Sequence, residues 1–146
     1  MFKHILLATD GSAASDHAAQ MAVGLARTHG AKLTALYVVD PYPYMGIGEA
    51  NPLGFQAYMS AARDHAAQAH AKVVVLCDSG TPPPDLQLRM AEDVTASNGI
   101  IQTARDESVD LIVIGSHGRT GIVRLMLGSV ADKVVAESPV PVLVAR

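Results

Sequence analysis

Phe2-Lys3-His4-Ile5-Leu6-Leu7-Ala8-Thr9 is an apolar run that stops at Asp10-Gly11-Ser12, and Lys32-Leu33-Thr34-Ala35-Leu36-Tyr37-Val38-Val39 is a second such run. Between them, Ala18, Met21, Ala22, Leu25 and Ala26 recur at helical spacing within Ala13 to His29. Short runs of branched and aliphatic residues read as strands, and a period near 3.6 reads as a helix with one apolar face. Asp10-Gly11-Ser12 supplies a turn and a helix cap, and Gly30 stands where a left-handed C-cap belongs. Strand, helix and strand within residues 2–39 form a βαβ unit, which implies a parallel sheet.

The same alternation continues. Asp40 to Gly54 carries three Pro and three Gly and reads as a loop. Phe55, Met59, Ala62, Ala66, Ala69 and Val73 then form one helical stripe. Val73-Val74-Val75-Leu76-Cys77 has strand-like composition, but it extends that stripe and is stopped only by Ser79-Gly80 and Pro82-Pro83-Pro84. Leu86, Leu88 and Met90 alternate with polar residues and make the better third strand. Thr95 or Ser97 is expected to cap a helix reaching about Glu107, with Ile100, Ile101 and Ala104 inward and a first turn frayed by Asn98-Gly99. Asp110 to Ile114 reads as a strand buried on both faces. A glycine-rich loop, a helix to about Ser138 and a last strand at Val140–Ala145 complete the pattern. Five strands alternating with four helices describe a doubly wound α/β fold in one domain, residues 1–146.

The glycine-rich stretch carries the chemistry. Ile114-Gly115-Ser116-His117-Gly118-Arg119-Thr120-Gly121 is followed by Gly128-Ser129 at the start of a helical pattern. Glycine lets backbone approach a ligand closely, and a helix start offers unpaired N–H groups at the positive end of the dipole. Such a place suits phosphate oxygens. Rival nucleotide motifs are missing: Gly46-Ile47-Gly48 is followed by Asn51 where a third glycine is needed, and no P-loop sequence occurs.

Composition removes several classes. Hydrophobic residues are 49%, charged residues 17% and net charge −3, a globular balance without the concentrated basic face that nucleic acid requires. No apolar stretch approaches the roughly 20 residues of a membrane span. The single Cys77 cannot form an internal disulfide, and Asp10 interrupts any signal-peptide pattern, so a cytoplasmic location is expected. His and Cys show no zinc-ligand spacing.

Gly115, Gly118 and Gly128-Ser129 fit G-x2-G-x9-G-[ST], which resembles the ATP-binding branch of the universal stress protein family. The Lys3–Ser12 opening is similar to the first strand and D-G-S turn of that family, and Pro139-Val140-Pro141-Val142-Leu143-Val144 to its last strand. Residues 42–92 match poorly, and Ala8 stands where matching members usually carry Pro.

The resemblance implies strand order 3-2-1-4-5, a Rossmann-like arrangement related to the adenine nucleotide alpha hydrolases. It puts a nucleotide where strand order reverses, beside Ala8-Thr9-Asp10 and Val38-Val39-Asp40. Asp10 and Val39 would hold base and ribose. Ile114, Gly115, His117, Gly118 and Arg119 would contribute from the loop, and Gly128, Ser129, Val130 and Ala131 from the helix start. The ligand implied is ATP, with Mg or Mn reached through Ser129. Tyr42, Tyr44 and Tyr58 are candidates to cover an adenine, loop packing being their plainer role.

His117 and Arg119 invite a catalytic reading, but no neighbouring carboxylate in sequence orients His117. No catalytic residue is assigned; slow hydrolysis of ATP is the most expected. Gly118→Val or Gly128→Val is expected to abolish binding with the fold largely intact. The apolar last strand, Val140 to Arg146, is expected to pair with its copy in a homodimer, as the family does. The expected role is a nucleotide-dependent regulator of the stress response. An adenylate-handling hydrolase or transferase, and a nucleotide-free scaffold, are the alternatives.

Overall fold

The computed structural model describes residues 1–42, 52–117 and 126–146. Within them the chain runs β1 (His4–Ala8), α1 (Ala13–His29), β2 (Lys32–Val38), α2 (Pro52–Asp78), β3 (Asp85–Ala91), α3 (Ala96–Asp106), β4 (Leu111–Gly115), α4 (Ser129–Glu137) and β5 (Val142–Ala145). The strands form one parallel sheet in the order β3-β2-β1-β4-β5. The expected doubly wound topology is therefore present, with small shifts at element ends. Phe2 lies outside β1 and packs edge-on against His29 at 5.3 Å. The last strand starts at Val142 because Ser138 Oγ first turns the chain, donating to the Val140 carbonyl at 2.7 Å.

Alternation along each strand divides the core into two layers. Ile5, Leu7, Leu33, Ala35, Leu111 and Val113 pack against Ala18, Ala22 and Ala26 of α1 and Val73 and Cys77 of α2. Leu6, Leu36, Ile112 and Ile114 face the other way, onto Ile100 and Ala104 of α3 and Ala131 and Val134 of α4. Val73 and Cys77, one helical turn apart, are buried while Val75 is exposed, and this spacing keeps the β-branched stretch in α2.

Long-range polar contacts pin the ends. Asp110 accepts from the backbone N–H of Lys3 and His4 at 2.8 and 3.2 Å, fixing β1 against the start of β4. Arg27 donates to the carbonyls of Cys77 and Pro82 at 3.2 and 3.0 Å, a cation at the negative end of α2. A Cβ on Gly80 would stand 2.8 Å from that guanidinium carbon. The anticipated fraying at Asn98-Gly99 is not found. A Cβ on Gly99 would meet Val38 at 3.0 Å, so glycine there lets α3 lie on β2. Thr95 occupies the N-cap position of α3 without a side-chain cap bond.

Candidate functional site

Strand order reverses between β1 and β4, and the carboxyl ends of β1, β2 and β4 open into a cavity of about 680 Å³. Ala8, Thr9, Asp10 and Val39 line it from one side. Ile114, Gly115, His117, Gly128, Ser129, Val130 and Ala131 line it from the other. Segments more than 100 residues apart in sequence thus meet in one cleft. Gly118, Arg119 and Tyr44 lie outside the described residues. The cleft also gathers Ser15, His65 and Tyr58, and Ile100, Met126 and Leu127. The stripe containing Met59 and Ala62 pointed to the α2 wall; nothing in sequence pointed to Ser15.

The β1–α1 turn is built by its own side chains. Asp10 Oδ1 accepts from Ser12 N–H at 2.9 Å, Gly11 adopts φ of +78°, and Ser12 caps α1 by accepting from Ser15 N–H at 3.3 Å. Thr9 Oγ1 accepts from Gly11 N–H at 3.3 Å and lies 3.2 Å from Ser15 Oγ, which donates to the Ser12 carbonyl at 3.0 Å. Asp10 therefore organises the turn as well as facing the cleft. Lys72 of α2 locks the turn from behind, donating to the Gly11 carbonyl at 2.9 Å and pairing with Asp16 at 3.1 Å.

At the end of β2, the Val39 N–H donates to the Ala91 carbonyl at 2.8 Å, and the Tyr58 hydroxyl donates to the Asp40 carbonyl at 2.7 Å. Burial, then the charges of Asp40 and Tyr37, push the Tyr58 phenol above its ordinary pKa, which keeps it a neutral donor. Tyr42 lies 5.3 Å from the Tyr58 ring and 5.7 Å from Phe55. Sequence reasoning named Tyr42 and Tyr58 but missed this clamp.

At the opposite side α4 begins without a side-chain cap. Its intrahelical ladder starts with Asp132 N–H on the Gly128 carbonyl at 2.8 Å, so the N–H groups of Ser129, Val130 and Ala131 precede the ladder. Gly128 itself differs from expectation. Its N–H donates to the Ser116 carbonyl at 2.7 Å instead of pointing into the cleft, and a Cβ there would sit 2.9 Å from that oxygen. A Cβ on Gly115 would sit 2.9 Å from the Ala14 backbone. Both glycines are required by the protein's own packing, so a valine at Gly128 would disturb the fold itself. Ser116 Oγ lies 3.0 Å from His117 Nδ1. Among the described residues no three His, Cys, Asp or Glu side chains group as a metal site, and no helix is long and apolar enough to cross a membrane.

These features define a doubly wound α/β protein with an open cleft at the switch point of its sheet. The universal stress protein family profile matches residues 1–146, including the middle segment that had looked dissimilar. The chain belongs to the universal stress protein family. It is 38% identical over 147 residues to a universal stress protein of Thermus aquaticus, covering all of both chains. The solved structure of the universal stress protein UspA from Lactobacillus plantarum superposes with a TM-score of 0.82 at 29% identity, covering 99% of this chain and 98% of that one. The fold is shared by a universal stress protein solved in complex with cAMP (TM-score 0.63, 24% identity, 99% and 97% covered). It is shared also by one from Archaeoglobus fulgidus in complex with dAMP (TM-score 0.68, 16% identity, 100% and 98% covered).

Proposed function

We propose that this chain is an ATP-binding universal stress protein working as a nucleotide-dependent regulatory homodimer. One observation carries the nucleotide reading: Asp10, Val39, Gly115 and the start of α4 line a single cleft at the sheet's switch point. Asp10 and the β2 end offer acceptors suited to the amino and hydroxyl groups of base and ribose. The α4 end offers N–H groups and the Ser129 hydroxyl to phosphate oxygens, and that hydroxyl suits a Mg or Mn ion carried on the phosphates. Gly118 and Arg119 join the site on the sequence motif alone. The cAMP and dAMP complexes of proteins with this fold support an adenine nucleotide as the class of ligand.

Thermal shift against ATP, ADP, AMP and cAMP tests this. Saturation at 100 times the dissociation constant stabilises the native state by about 2.7 kcal/mol. No shift with any of them would favour the nucleotide-free scaffold. Phosphate release faster than roughly 1 per second, lost on changing His117, would favour the hydrolase.

The dimer reading rests on the sheet edge. The Pro141 and Ala145 carbonyls accept from Ile112 and Ser116 of the β4 side, so alternation turns the backbone of Val142 and Val144 toward the outer edge. A second copy of β5 is the natural partner for that edge. Sedimentation equilibrium at micromolar concentration checks it, and a monomer would refute it.

A further inference from the structure

Resting on the nucleotide reading above, we propose that Tyr58 is the surface on which the ligand's purine ring stacks. Two tyrosines line the cleft among the described residues, Tyr37 and Tyr58. Tyr37 is only 6% exposed and belongs to the packing under α2, with Met59 and Ala66. Tyr58 packs on the edge of that cluster and stands on the α2 wall beside Val39 and Asp40, the side to which the nucleotide reading assigns the base. Of the other cleft-lining residues of α2, Ala61 and Ala62 carry only methyl groups and His65 lies about two turns further along the helix.

The ring is also held before any ligand arrives. Its hydroxyl is fixed on the Asp40 carbonyl at 2.7 Å, and Tyr42 flanks it at 5.3 Å with the planes inclined by 61°. Tyr42 is in turn braced by Phe55 at 5.7 Å and 89°. A planar base meeting a ring already fixed at both positions gains stacking without the ordering cost of an unrestrained side chain. A tyrosine that only anchored the chain after β2 would contribute to stability and leave base affinity alone.

Calorimetric titration of the full chain with AMP and with ribose 5-phosphate separates these roles. Tyr58→Leu keeps apolar bulk on α2 and is expected to weaken AMP roughly 5- to 150-fold. Ribose 5-phosphate, which has no base, should bind the variant as it binds wild type. Tyr58→Phe keeps the ring and should hold AMP affinity within about threefold, a loss under 1 kcal/mol. The proposal is overturned if Tyr58→Leu binds AMP like wild type, or if AMP and ribose 5-phosphate weaken together. If wild type does not bind AMP, the same titrations are made with ATP; wild type binding neither overturns the nucleotide reading, and this inference with it.

Discussion

Replacing Gly128 by alanine isolates what that glycine does without a ligand. Its backbone, φ −61° and ψ 154°, is open to any residue, so the substitution carries no conformational penalty. The methyl group, however, would lie 2.9 Å from the Ser116 carbonyl oxygen and 3.3 Å from His117 Cα. The same oxygen accepts the Gly128 N–H at 2.7 Å, while the Ser116 N–H holds the Ala145 carbonyl at 2.7 Å. Relief requires shifting a residue whose N–H and C=O are both bonded. Overpacking of this kind costs about 1–3 kcal/mol and a weakened hydrogen bond about 0.5–1.5, against a gain of about 0.4–1 from a stiffer unfolded chain. A net loss of about 1–3 kcal/mol is expected, lowering the melting temperature by roughly 3–10 °C in a chain of this size. Circular dichroism melting of the ligand-free protein measures it. If Gly128→Ala melts with wild type and loses only nucleotide affinity, the packing account fails and the glycine exists for the ligand.

The remaining expectations use other contacts. Gly115→Ala should also destabilise the ligand-free protein, because its Cβ meets the Ala14 backbone at 2.9 Å; unchanged urea unfolding would count against that. Arg27→Ala removes the donors on the Cys77 and Pro82 carbonyls and should cost about 1–3 kcal/mol in urea unfolding. Burial holds His70 below the ordinary histidine range, so the unfolded chain takes the proton first and stability falls as pH drops below about 6.5. His70→Leu should flatten that decline between about pH 6.5 and 5 in thermal melts, and an unchanged slope would refute it. Val144→Pro removes an N–H turned to the outer edge and should shift sedimentation toward monomer with the β4–β5 ladder kept; an unaltered dimer would contradict the edge assignment.

The fold was legible because its signals are local. Alternation and helical spacing located the elements, and Val73 and Cys77 resolved the doubtful end of α2 through a spacing of four. The cleft segments were legible for a related reason: the glycines and the D-G-S turn end strands, and strand ends in a parallel sheet converge. What sequence withheld was which partner each residue meets. Gly115 and Gly128 were read as room for a ligand; both line the cleft, and they also make room for Ala14 and Ser116, which no local signal announces. Asp110 clamping Lys3, Arg27 closing α2 and Tyr58 on Asp40 all join residues distant in sequence, and only the assembled topology pairs them.

Ser116, held by Ala145 through its N–H and by Gly128 through its carbonyl, has a practical meaning for anyone handling this protein. His17 Nδ1 also engages the Arg146 carbonyl, so the final two residues are tied to both α1 and the mouth of the cleft. A purification tag fused after Arg146 would tug on these fastenings. One fused ahead of Met1, a residue 94% exposed, would hang clear of them.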